Sequence, residues 1–138
     1  MKKTIALLFC IAMVASSCNE SAADKGKNFD ANFVHTVFFW LKNPNNSNDR
    51  LKFETSLRHF LENSNYAKTN FIGTPPVATR EVVDGSFTYS LVVTFASAKA
   101  QEGYQKEAAH LKFIEECKDL WTKVIVYDSN GIPKEIKG

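Results

Sequence analysis

Cysteine is scarce. Three occur in 138 residues, and two of them, Cys10 and Cys18, lie near the start, so Cys117 stands alone in the body of the chain. A lone thiol has no disulfide partner, which excludes a disulfide-stapled fold; in an exported protein such a cysteine is expected to be buried rather than nucleophilic. Charge of one sign is lacking too. The chain has 17 Lys+Arg against 15 Asp+Glu, and without Lys2 and Lys3 the two signs balance. Nucleic acid is therefore a poor partner, since binding it needs a basic face that displaces counterions. Metal chemistry is undersupplied: only three histidines exist, and none has the i, i+4 spacing with a carboxylate that zinc sites use, so no metal is expected. Neither a Gly-rich phosphate loop nor a G-x-S-x-G elbow is present, and no cofactor is implied. Internal repeats and low-complexity stretches are absent.

The apolar run near the start, Ile5 to Val14, is too short to span a bilayer. It has the length of a signal h-region, preceded by Lys2 and Lys3 and followed by Ala15, Ser16, Ser17 and Cys18. A cysteine after small residues at that place resembles a bacterial lipobox. Residues 1–18 are thus expected to be a lipoprotein signal, with Cys18 the lipidated first residue of an envelope protein. The alternative is ordinary cleavage near Ala15 to Ser17, releasing a soluble exported protein. Residues 19–32 are polar and read as a flexible tether, and 33–138 as one domain. On this reading any membrane contact runs through the lipid alone. About 120 residues should bury roughly two-thirds of their unfolded surface, enough for one core.

The domain opens on a strand, Phe33 to Lys42, rich in aromatic and β-branched residues and ended by Asn43-Pro44-Asn45-Asn46. One face carries Phe33, His35, Val37, Phe39 and Leu41; the other carries Val34, Thr36, Phe38 and Trp40. Both are mostly apolar, so both need covering. Helices can cover one; a second subunit is the natural cover for the other. Ser47 to Asn63 reads as a helix with Phe53, Leu57, Phe60 and Leu61 on one stripe and His59 facing solvent. Tyr66 to Pro76 reads as a loop with a short extended piece whose aromatics are expected to seal the core, the alternative being that they line the mouth of a pocket. Val77 to Val83 reads as a second strand, turned by Asp84-Gly85 in a type I′ hairpin. Ser86 to Phe95 is a third strand, with Phe87, Tyr89, Leu91, Val93 and Phe95 on one face. Ser97 caps a short helix running to about Tyr104. After a break at Gly103 to Glu107, Ala108 to Leu120 is helical again, with His110, Ile114, Cys117 and Trp121 on its core stripe. Thr122 to Asp128 is the last strand. The order β-α-β-β-α-β predicts a ferredoxin-like α+β fold: a four-stranded antiparallel sheet with two helices on one face.

Three segments, HTVFFWLK, YSLVVTF and YQKEAAHLKF, together resemble the stress-responsive α/β-barrel (Dabb) family. Its pattern is a histidine in the first strand, a tyrosine followed six residues later by a histidine, and then an aromatic. His35, Tyr104, His110 and Phe113 stand at those positions, and the resemblance spans Phe33 to Asp128. The chain departs from the family in having Glu107-Ala108 where His-Pro often precedes the helix histidine. The resemblance implies a dimeric α+β barrel in which two sheets pack face to face. Most members have no assigned reaction, but one plant member closes a linear polyketide by aldol chemistry without a cofactor. Its catalytic tyrosine and histidine match Tyr104 and His110.

Two readings follow. In the first, His110 is a base and Tyr104 polarises a carbonyl in a cofactor-independent enzyme, or both hold a small apolar ligand; His35 is a weaker candidate beside them. In the second, the protein is a non-catalytic dimeric envelope or stress protein, and its histidines are structural. A cavity beside His110 favours the first, and packed side chains favour the second.

Overall fold

The computed structural model describes residues 32–132. The signal segment with Cys18, and most of the tether, lie outside the described residues. Seven elements follow one another: β1 Phe33–Leu41, α1 Ser47–Glu62, β2 Thr69–Gly73, β3 Tyr89–Phe95, α2 Ala98–Lys106, α3 Ala108–Cys117 and β4 Trp121–Asn130. The sheet is antiparallel throughout, in the order β2-β3-β1-β4. That is the ferredoxin-like α+β arrangement, its second helical element divided into α2 and α3 by the break at Glu107.

Strand β1 forms for the reason its composition suggests: alternate residues are buried, from Phe33 and His35 through Leu41. They pack under the stripe of α1, with Phe53, Leu57 and Phe60 almost fully buried. Helix α1 starts at Asn46, whose side-chain oxygen accepts the amides of Asn48 and Asp49. Ser97 caps α2 by accepting the Ala100 amide. The second helical stretch breaks at Glu107, whose extended backbone (φ −69°, ψ 150°) serves as the N-cap of α3. The Glu107 carboxylate makes no cap bond there. It accepts from the Ser64 hydroxyl and the Asn65 amide, tying the end of α1 to the helix junction. Cys117 is buried and its thiol unpaired.

Four expectations are corrected. Val77 to Val83 is not a strand, and the second strand is Thr69–Gly73, paired with β3 from Thr69↔Thr94 to Gly73↔Ser90. Asp84-Gly85 makes no type I′ turn, because no described glycine has positive φ. Asp84 instead folds its carboxylate back to accept the Ser86 amide, a local Asx turn. Phe87 does not share the face of Tyr89. It lies outside β3 and packs on Phe38, ring centres 4.9 Å apart, on the face away from the helices. Finally, Tyr66 and Phe71 do not seal the core. Phe71 is 62% exposed, and Tyr66 lies over α2 at Gly103, where an added Cβ would come within 2.5 Å of its ring.

Strand β4 carries an irregularity with consequences for the site. Trp40 pairs with Lys123, but Leu41 pairs with Trp121, leaving Thr122 as the extra residue of a bulge. Regular alternation would put Thr122 on the helix side and Trp121 on the other. The bulge turns Trp121 inward, against Phe39, Phe53 and Phe113. The last helix ends at Cys117 rather than Leu120, so Trp121 joins the His110 stripe from a strand.

Candidate functional site

Helices α1 to α3 leave a cavity of about 260 Å³ between themselves and the sheet. Its walls are Val37, Phe39 and Leu91 from the central strands, Phe60 from α1, Phe113 and Ile114 from α3, and Trp121 from the bulge. Val124 and Val126 stand opposite Phe39 and Val37 on β4, on the helix side of the sheet. None of the described helices covers them; they are 36% and 47% exposed and form an apolar doorway.

The polar groups gather around one ring. Tyr104, only 1% exposed, is packed edge-on against His35 and Phe95 and tilted over Phe60 and His110. Its centre lies 5.8 Å from the His35 ring and 5.4 Å from the His110 ring. All three line the cavity. Among the described residues no buried side-chain polar atom lacks a partner, and the Tyr104 hydroxyl has no protein partner. It therefore reaches the open space of the cavity. Burial, with Glu107 adding to it, pushes the phenol well above its ordinary pKa, so it is a donor at neutral pH.

Each imidazole is held through Nδ1. His110 Nδ1–H donates to the Gln105 carbonyl at 3.1 Å. A carbonyl only accepts, so the proton of the neutral ring sits on Nδ1 and Nε2 carries a free lone pair. Burial pulls the His110 pKa below its ordinary value; the Gln105 carbonyl and Glu107 oppose that, and His35 assists it. His35 Nδ1 donates to the Asp128 carboxylate at 2.6 Å. His35 itself is buried, whereas the Asp128 side chain is 41% exposed at the rim. Among the described residues no three of His, Cys, Asp or Glu are gathered as a metal site would require.

The structure thus brings together Tyr104, His110 and His35 as the sequence suggested, with Phe113 in the wall. Cys18 lies outside the described residues. Reading the sequence missed Asp128, the Gln105 carbonyl, Glu107 and the two doorway valines; it placed Trp121 beside His110, but on a helix and not on the strand that carries it. Asp128 had one signal, an acid closing an apolar strand, but only the β1–β4 register shows that it faces His35.

A ferredoxin-like α+β protein with an apolar chamber between sheet and helices, fronted by a tyrosine and two histidines, is the class these features define. The family model described as the stress responsive A/B barrel domain (Dabb) matches residues 33–130. The chain belongs to that family. Among solved structures, it is similar to a hydroxynitrile lyase from Passiflora edulis, with 20% identity, TM-score 0.62, and 75% of this chain and 95% of that one covered. A Dabb family protein with a ferredoxin-like fold from Mesorhizobium loti gives 17%, 0.61, 73% and 97%. A dimeric ferredoxin-like protein of unknown function from Thermobifida fusca gives 11%, 0.59, 71% and 89%. At such identities the likeness establishes the shared fold. No match is found among curated proteins.

Proposed function

We propose that the protein is a cofactor-independent acid–base catalyst, or binder, acting on a small apolar carbonyl compound. The observation that carries this reading is the unspent Tyr104 hydroxyl facing the same apolar chamber as the His110 ring. The chemistry follows from the groups. His110 Nε2 takes a proton from the carbon next to a carbonyl. The C–H electron pair becomes the enolate double bond, and the charge arriving on oxygen is met by the Tyr104 O–H. The Gln105 bond fixes the tautomer, and the lowered pKa keeps the ring neutral near pH 7. His35, held by Asp128, flanks the tyrosine and positions it. The similarity to a hydroxynitrile lyase supports the reading, since that protein's name records a lyase on this fold.

The test is deuterium wash-in at the methyl group of acetophenone in D₂O, followed by proton NMR. Catalysed exchange is expected to saturate with ketone, and to fall about 100-fold or more in both Tyr104→Phe and His110→Ala. Exchange no faster than buffer, or unchanged in both variants, sinks the reading. The Nδ1 bonds of both histidines favour a second reading, a non-catalytic envelope protein with structural rings. It expects His110→Ala to lower the melting temperature clearly while Tyr104→Phe changes nothing measurable.

We further propose a homodimer through the open face of the sheet. Phe38, Phe71, Phe87 and Tyr127 lie there without a helix over them, and the Thermobifida fusca neighbour is described as dimeric. Export, with lipid at Cys18, rests on the charge, apolar run and small residues of positions 2–18.

A further inference from the structure

The chain distributes its cations unevenly. The groove outside α1 and α3 is bordered by Lys52, His59 and Lys112. Among the described residues no lysine or arginine stands in the wall of the cavity holding Tyr104. The two acids placed at its head are Asp128 and Glu107. The Asp128 carboxylate accepts from the His35 ring at 2.6 Å, so that ring's Nδ1–H is already engaged. Glu107 lies near enough to raise both the Tyr104 and the His110 pKa. The head of the cavity therefore pairs its two histidines with two acids and adds no lysine or arginine from its wall. Beyond the head the walls are aliphatic and aromatic, with the Trp121 indole among them, and the doorway of Val124 and Val126 is aliphatic.

An anion entering this space leaves water and meets no fixed countercharge, which is the costly case for burial. A neutral carbonyl loses little on entry and accepts one hydrogen bond from Tyr104. We propose that the site selects an uncharged ketone or aldehyde with an aromatic or short alkyl tail, and rejects the carboxylate of the same shape. This rests on the acid–base reading above, and it adds that charge appears only during the reaction. Negative groups at the head suit that sequence of events, because they stabilise the imidazolium formed when His110 takes the proton.

Acetophenone and benzoate are the matched probes, titrated into the full chain at pH 7.5 with Trp121 emission as the signal. Trp40→Phe serves as the background, since Trp40 lies on the far face of the sheet. Acetophenone is expected to change the emission saturably, with benzoate at least ten-fold weaker. Glu107→Gln combined with Asp128→Asn should tighten benzoate relative to acetophenone. Benzoate binding as tightly as acetophenone and competing with it overturns the proposal and makes the cavity a carboxylate site. No response to either probe overturns it as well. Preference for acetophenone without wash-in leaves the selectivity standing and removes the catalytic reading, so the two fail separately.

Discussion

His110 is where burial and chemistry meet. Because its pKa is lowered in the folded chain, the unfolded chain binds more protons between that lowered value and about pH 6.5. The stability tied to a neutral His110 is thus complete above about pH 6.5 and lost as pH falls through the folded value. Melting temperature should drop on the acid side more steeply for the wild type than for His110→Gln, measured by circular dichroism at a series of pH values. The same ring should set the acid limb of the wash-in rate, with a midpoint below about 6.5. Glu107 holds the pKa up, so Glu107→Gln should move that limb to still lower pH; a limb that moves upward or stays put contradicts the assignment. His110 stood out in the sequence because the helix repeat and the family pattern agree on it, whereas Tyr104 rested on the family pattern alone. Asp128 was not legible, because a contact across two strands depends on register, which one strand's residues do not state.

At the level of elements, Gly103 shows how a local rule can be overruled. A glycine inside a helix ordinarily costs about 1 kcal/mol relative to alanine. Here the missing side chain makes room for the Tyr66 ring. Gly103→Ala should therefore fail to stabilise the wild type, while the same change in a Tyr66→Ala background should add about 0.5–1 kcal/mol. Urea denaturation of the four proteins measures the difference, and equal effects in both backgrounds would show that the ring does not matter. β1, α1 and β3 were readable because each has a long apolar pattern. β2 was not: Thr69–Gly73 is short and carries Asn70 and Gly73, while Val77 to Val83 offered a more strand-like composition and an apparent hairpin signal. Composition counted valines; it could not show that the Asp84 carboxylate turns the chain by accepting the Ser86 amide, or that residues 74–88 form no strand.

For the molecule as a whole, the unanswered demand is the second face of the sheet. Phe38 is its centre, packed edge-on between Phe87 and Tyr127. Lys123 lies 4.4 Å over the Trp40 ring on the same face. A specific interface would bury on the order of 800 Å² on each copy. Phe38→Asp places a charge in it and should yield monomers by analytical ultracentrifugation, with the helices retained by circular dichroism. A variant that sediments like the wild type counts against the face-to-face pair. The two-sided apolar character of β1 made this surface visible from residues alone. Where the chamber opens was not, because that depends on how far three helices reach across four strands.

The surplus residue at Thr122 has a bearing on how such a chamber could change size. It decides by count, and not by chemistry, which way an indole points. Were the ladder to run on evenly through that position, a hydroxyl would replace the indole along the lining and the ring would swing to the far side, with Tyr104 and His110 untouched. Pocket volume and reactive groups are thus separately adjustable in this architecture, the first by a single step of strand register.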